Sequence, residues 1–230
     1  MKCNASAIVH QHYQIRRLTI MYTLYYSPAT ASMVVHLMLI ELNVPHELRL
    51  TDIEKGAQHD PEYRRLNPNG HVPTIVVDGK PMYEAAAITM FLADRHADAK
   101  FAPSIDDPKR TVYLQWFFHF ANSLQPAYRL WFYQKDLPGT DHEVVKKTVA
   151  ARIEGVWERV DAHLAANDSP FMLGNDVSAL DLYMTMLMRW SRSMPKPATT
   201  WPRLAALADR IKARPAWKKL YEVEGLTDWA

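Results

Sequence analysis

The chain has 230 residues, 48% of them hydrophobic and 23% charged, with a formal net charge of +2. That length holds two ordinary domains or one large one, and the composition is that of a globular chain. So small a net charge gives no sign of a nucleic-acid partner, and no apolar run approaches the roughly 20 residues that span a bilayer.

Residues 1–20 are mixed polar without a clear period, and they are expected to form an extension, disordered or tag-like. They lack the apolar run of a secretory signal, while Arg16-Arg17 and the absence of acidic residues leave a transit peptide open. The single cysteine, Cys3, lies in this stretch. It leaves no disulfide framework within the chain and no cysteine metal site, and it fits a reducing, cytoplasmic setting.

From residue 22 the patterns are regular. Tyr22-Thr23-Leu24-Tyr25-Tyr26 is aromatic and β-branched and reads as a strand, stopped by Ser27-Pro28. Residues 31–42 form an apolar helix ending near Asn43-Val44-Pro45. His46 to Leu50 alternates and reads as a second strand; a polar stretch to Leu66 has room for a short helix. Thr74 to Val77, the turn Asp78-Gly79 and a strand around Pro81 to Tyr83 come next, then a helix over 84–96. The order β-α-β-(α)-β-β-α predicts a small mixed sheet with helices packed on it.

Phe101 to Pro108 interrupts the pattern and reads as a linker; beyond it strand signals nearly vanish. Asp107-Pro108 starts a helical pattern that runs to about 134, with Pro126 as its kink or break. A second long helix covers 141–166 on the stripe Val145, Val149, Ile153, Val156, Trp157, Val160 and Leu164. Ser178-Ala179-Leu180-Asp181 is a capping box with Asp for the usual Glu, opening a helix to about Trp190. Helices over 202–213 and 216–221 follow. The expected division is therefore 1–20, a mixed domain over 21–100 and an all-helical domain over 107–230.

One run stands out, Asn67-Pro68-Asn69-Gly70-His71-Val72-Pro73, leading straight into the third strand. A proline in a strand removes a ladder donor and belongs at a strand's first residue or on an edge. At this position it leaves the backbone groups of Val72 free to pair with something outside the sheet, such as an extended peptide ligand.

Taken in order and spacing, five pieces resemble the cytosolic glutathione transferases, and most of all the bacterial beta type. They are Tyr25-Tyr26-Ser27-Pro28, the Asn67 to Pro73 run, Glu84-Ala85-x-Ala87-Ile88, Ser178-x-x-Asp181 and Arg214-Pro215. The resemblance covers about residues 21–228. It implies a thioredoxin-like N-terminal domain of the α+β or α/β class followed by an all-α domain. It further implies glutathione as co-substrate with no metal, small apolar electrophiles as second substrates, a homodimer, and a detoxifying transferase without nucleic-acid or membrane partners.

The resemblance also implies roles. The Val72-Pro73 bond would be cis, although the residues alone favour trans. Val72 would pair with the cysteinyl backbone of glutathione as an added strand does. Glu84 and the helix start at Ala85 would hold the γ-glutamyl end, where free N–H groups meet a carboxylate. Family members often carry Ser where this chain has Ala85, and losing that donor removes a bond worth roughly 1.5–3 kcal/mol to a charged acceptor. His71 is assigned to the glycyl carboxylate and Gln125 to the sulfur, though both also read as ordinary surface residues.

The chemistry is thiolate attack on an electrophile. A free thiol has a pKa of about 8.5, so the protein must supply a donor or a helix N-terminus to hold the thiolate. The characteristic cysteine of beta-type members falls at Ala31, which leaves mixed-disulfide chemistry unsupported. Thr30 and Ser32 are equal candidates for the activating hydroxyl, Ser27 is a third, and Tyr26 at the strand end is another donor; plain helix capping also explains Thr30 and Ser32. Tyr113, Trp116, Phe117 and Phe120 recur at helical spacing. Such a stripe reads as core, and the resemblance makes part of it the electrophile pocket. Ala31 and Ala85, both losses against the family pattern, keep open a non-catalytic glutathione-binding or adaptor role. A glutathione-dependent isomerase or dehalogenase on the same fold is a further alternative.

Overall fold

The computed structural model describes residues 22–230. The expected extension over 1–20, Cys3 included, lies outside them.

The first half alternates strand and helix: β1 (Tyr22–Tyr26), α1 (Ser32–Glu41), β2 (His46–Leu50), α2 (Pro61–Leu66), β3 (Thr74–Val77), β4 (Lys80–Tyr83) and α3 (Ala85–Arg95). The four strands lie in the order β2-β1-β3-β4. β1 and β2 are parallel, Leu24 opposite Leu48, because α1 carries the chain back across the sheet. β1 and β3 are antiparallel, Leu24 opposite Ile75, and β3 turns tightly into β4 through Asp78-Gly79. This is the mixed sheet that the strand–helix order predicts, in the thioredoxin-like arrangement that the resemblance implies.

The second half is helical: α4 (Lys109–His119), α5 (Gln125–Phe132), α6 (His142–Asn167), α7 (Ala179–Trp190), α8 (Pro202–Lys212) and α9 (Pro215–Glu224). A helix that is apolar all round must be buried on every side. α1 fits that description, with Ser32 through Leu39 all buried, and it packs between the sheet side and the helices α7 and α9. α7 is likewise buried from Ala179 through Arg189 and forms the axis of the helical half. Its start is fixed by Asp181, whose carboxylate accepts from the Ser178 amide and hydroxyl at 2.8 and 2.7 Å and from the Met172 amide at 2.8 Å. α6 buries the stripe from Val149 to Leu164, and Asp141 caps it by accepting from the amides of Glu143 and Val144.

The predicted break at Pro126 takes a particular form. Residues Phe120–Leu124 make one π-helical turn between α4 and α5, with Pro126 just beyond it. Proline has no N–H and crowds the preceding turn, and a wider turn relieves both problems without ending the helix. The segment expected as a linker is packed rather than loose: Phe101 is buried and its carbonyl accepts from the Ala179 amide at 2.8 Å.

Candidate functional site

A cleft of about 610 Å³ opens where the loops at the ends of β1 and β3 face α5 and the end of α7. One side of it is built by three loops. After β1, Thr30 faces the cleft while Ser32 beside it is fully buried. The Thr30 hydroxyl lies 2.7 Å from the Ser27 carbonyl oxygen and 2.9 Å from the Ser32 hydroxyl. Ser32 reaches the same carbonyl at 2.9 Å and accepts from the Ser27 amide at 3.2 Å. The Ser32 amide donates to the Thr30 oxygen at 3.3 Å. Ser27 is buried and contributes its backbone here. Tyr26 sits behind the loop against His36, its phenol raised by burial and then by the charge of Glu224.

The second loop is the Asn67 to Pro73 run. Gly70 has φ +63, and a Cβ there would meet the Gln58 carbonyl oxygen at 3.1 Å, so both the turn and the space require glycine. The His71 carbonyl is held by the Tyr63 hydroxyl at 2.5 Å and the Asn67 amide nitrogen at 2.8 Å. Val72-Pro73 is cis. Among the described residues the Val72 N–H and C=O have no hydrogen-bond partner, and Val72 lines the cleft. The His71 imidazole also lines it; its pKa is lowered by desolvation and then by the Arg129 charge.

The third loop ends at Glu84, which has φ 77 and immediately precedes α3. A non-glycine residue held in that region is uncommon and is retained only where its surroundings fix it. Here it turns the chain so that the first-turn amides of α3, beginning at Ala85, open toward the cleft.

The opposite wall comes from α5 and α7. Gln125, Tyr128, Arg129 and Phe132 line it from one helical face, joined by Tyr133, Asp136, Trp190 and Arg192. The Gln125 side-chain oxygen accepts from the Tyr183 hydroxyl, which leaves its amide nitrogen as the group free to face a ligand. Arg129 pairs with Asp136 at 2.6 Å and lies over the Tyr133 ring, and Arg192 pairs with Asp228 at 2.5 Å.

The aromatic stripe on α4 is a correction. Tyr113, Phe117 and Phe120 are fully buried and none of them lines the cleft. Phe117 stacks on Tyr183, Phe120 packs on Trp157, and Trp116 lies against His119 and His163. The stripe faces α6 and α7, and it is α5, beyond the π turn, that reaches the cleft. Gln125, Tyr128, Arg129 and Phe132 stand at i, i+3, i+4 and i+7, so the same periodicity test applied to α5 finds the wall. Ile53, Gln58, His59 and Asn69 on one side, and Trp190 and Arg192 on the other, carry no local signal. Ala31, at the cysteine position of beta-type members, also faces the cleft.

Two family models, "Glutathione S-transferase, N-terminal domain" and "Glutathione S-transferase, C-terminal domain", match residues 30–95 and 122–222. Glutathione S-transferase GstA of Escherichia coli O157:H7 is 26% identical over 205 residues, covering 88% of this chain and 98% of that protein. Glutathione S-transferase-like protein OpS6 of Beauveria bassiana is 30% identical over 196 residues, covering 81% and 87%. A sphingomonad glutathione S-transferase solved with glutathione superposes with a TM-score of 0.78 at 25% identity, over 89% of this chain and 100% of that one. The fold and the cleft define a two-domain protein with a thioredoxin-like half and a helical half. The chain belongs to the glutathione S-transferase family.

Proposed function

We propose that this protein is a glutathione transferase that holds glutathione between Val72 and the start of α3 and presents its thiolate to small, largely apolar electrophiles. The observation that carries this reading is the unpartnered backbone of Val72, set in one cleft with Thr30 and the N-terminus of α3. An extended cysteinyl segment satisfies a free N–H and C=O at once, as an added strand would. The γ-glutamyl carboxylate then falls to the α3 amides and to the site edged by Glu84, with His71 beside the glycyl end.

Thr30 is the proposed thiolate donor. Lowering the thiol pKa from about 8.5 to 6.5 takes about 2.7 kcal/mol of preference for the charged form. One hydrogen bond to a charged acceptor supplies roughly 1.5–3 kcal/mol, and a helix N-terminus such as that of α1 adds about 0.3–1. The two together suffice without a base. Exposure supports Thr30 over Ser32, since either hydroxyl can satisfy the Ser27 carbonyl but only Thr30 faces the cleft. When Ser32 donates to the Ser27 carbonyl, that carbonyl stays satisfied and the Thr30 proton is free to turn to sulfur, while the Ser32 amide still donates to the Thr30 oxygen. Once formed, the thiolate attacks the electrophilic carbon, the carbon–sulfur bond forms, and the leaving group departs with its electron pair. Tyr128, Phe132, Tyr133 and Trp190 supply an aromatic wall for the electrophile. With Ala31 in place of cysteine, no thiol among the described residues lines the cleft to form a mixed disulfide.

The domains proposed are 21–100 for glutathione and 107–230 for the electrophile, in a cytoplasmic homodimer; sedimentation of the purified chain tests the dimer. No helix among the described residues is long and apolar enough to cross a membrane. The function itself is tested by calorimetric titration with glutathione and by turnover of a chlorodinitrobenzene-type substrate. Binding with turnover is the expected result. Absence of both ends the proposal, and tight binding with an unshifted thiol pKa turns it into a binding or adaptor role.

A further inference from the structure

Ala29, the residue before Thr30, has φ 61, a left-handed conformation that an L side chain disfavours. Both of its peptide groups are held from the helical half. Its N–H donates to Glu224 Oε2 at 3.1 Å, and its C=O accepts from Trp190 Nε1 at 3.2 Å. Glu224 is the last residue of α9 and Trp190 the last of α7. The other Glu224 oxygen accepts from His36 Nδ1 at 2.9 Å, the two side chains being 0% and 1% exposed.

This placement of a carboxylate runs against general expectation. The last turn of a helix carries the negative end of its dipole, and a buried carboxylate is costly unless its oxygens are bonded. Here one oxygen is taken by α1 through His36 and the other by the Ala29 amide. The Glu224 side chain therefore joins the end of α9, the face of α1 and the loop that carries Thr30.

We propose that Glu224 and Trp190 are positioning residues that fix Ala29 in its left-handed conformation and so aim the Thr30 hydroxyl at the glutathione sulfur. The proposal rests on Thr30 being the thiolate donor. Released from these two anchors, Ala29 relaxes to a right-handed conformation. The peptide joining it to Thr30 then rotates, and the Thr30 oxygen leaves its place between the Ser27 carbonyl and the Ser32 amide.

The test uses the full chain and reads the bound thiolate by its ultraviolet absorbance against pH, with kcat and KM for glutathione. Glu224→Gln keeps the shape but removes the charge, so the bond to the Ala29 amide is lost or, where His36 Nδ1 turns acceptor for the new NH2, weakened to that of a neutral acceptor. Expected are a rise of about one unit in the bound thiol pKa, which is about a fivefold loss of thiolate at pH 6.5 and about tenfold well below it, and a matching fall in kcat. KM for glutathione is expected to stay within about twofold, since Val72 and the α3 amides are untouched. Adding Ala29→Gly, which accepts the left-handed conformation without penalty, recovers part of the shift; a general loosening of the fold is not recovered in this way. In Thr30→Ala, adding Glu224→Gln produces no further shift. If Glu224→Gln does not fold, Trp190→Phe removes the other anchor and is read by the bound thiol pKa alone, since Trp190 also lines the cleft. A raised pKa in Thr30→Ala with none in Glu224→Gln or Trp190→Phe overturns the positioning role and leaves Thr30 standing. An additive shift in the double variant overturns it too. No shift in Thr30→Ala overturns the assignment of Thr30 and, with it, this inference.

Discussion

The hydroxyls of Thr30 and Ser32 lie 2.9 Å apart and share one acceptor, the carbonyl oxygen of Ser27, at 2.7 and 2.9 Å. Two residues of the same chemistry at the start of one helix are separated only by exposure: Thr30 faces the cleft and Ser32 is buried beneath it. Thr30→Ala is expected to lower kcat/KM by about 10- to 100-fold, the worth of one bond to a charged acceptor, while Thr30→Ser stays within a few-fold. Ser32→Ala leaves the buried Ser27 amide unpaired and is expected to cost about 1–3 kcal/mol in urea unfolding, with a smaller loss of rate. The reverse ranking of rates would assign the thiolate to Ser32.

Ala85 stands at the first position of α3, on the cleft, where a hydroxyl would add a donor to the helix amides. Ala85→Ser is expected to tighten glutathione binding about tenfold, or about 1.4 kcal/mol, with kcat little changed. Calorimetric titration decides it. An unchanged or weaker affinity would mean that the γ-glutamyl carboxylate does not meet the start of α3.

Phe120 opens the π turn and Phe132 ends α5, and they differ completely in setting, at 0% and 43% exposure. Phe120→Ala empties the core between α4, α6 and α7 and is expected to cost about 3–5 kcal/mol of stability. Phe132→Ala is expected to leave stability within about 1 kcal/mol and to raise KM for an aromatic electrophile. If Phe132→Ala left every electrophile's kinetics unchanged, α5 would not be the substrate wall.

Burial lowers the pKa of His71, His96 and His119, with the charges of Arg129, Arg95 and Arg159 respectively adding to it. The folded protein therefore holds them neutral, while the unfolded chain takes up protons near pH 6.5. Below that pH the unfolded state binds more protons, so stability present above about 6.5 is lost as pH falls through the lowered folded values. Tm should drop between pH 7.5 and 5.5. His96 Nε2 lies 2.8 Å from the Tyr22 hydroxyl, which donates to an unprotonated nitrogen and accepts from a protonated one. His96→Gln keeps an acceptor without a titration there, and its Tm should fall less across the same interval. An equal fall would place the effect elsewhere.

Much of this protein is determined locally, and that part is legible in its sequence. The aromatic and β-branched run of β1, the apolar run of α1 and the stripe on α6 each follow from side chains a few residues apart. So do the capping box of Ser178 and Asp181 and the turn at Gly70. Each is a periodicity or a short-range hydrogen bond that holds wherever the segment lies. The resemblance to a known family extended that reading to the Val72 corner and the start of α3.

What only the tertiary structure decided lies between elements distant in sequence. The stripe of Tyr113, Phe117 and Phe120 is as regular as that of Gln125, Tyr128, Arg129 and Phe132. Which faces core and which faces the cleft depends on the π turn at Phe120–Leu124 and on what α6 and α7 bury. Thr30 and Ser32 are indistinguishable as letters, because burial belongs to the packed molecule. Nor does any local pattern join Glu224 to Ala29, a hydrogen bond across 195 positions of chain. That contact exists because α9 packs on α1, and the helix arrangement alone brings a carboxylate from one end of the protein to an amide near the other.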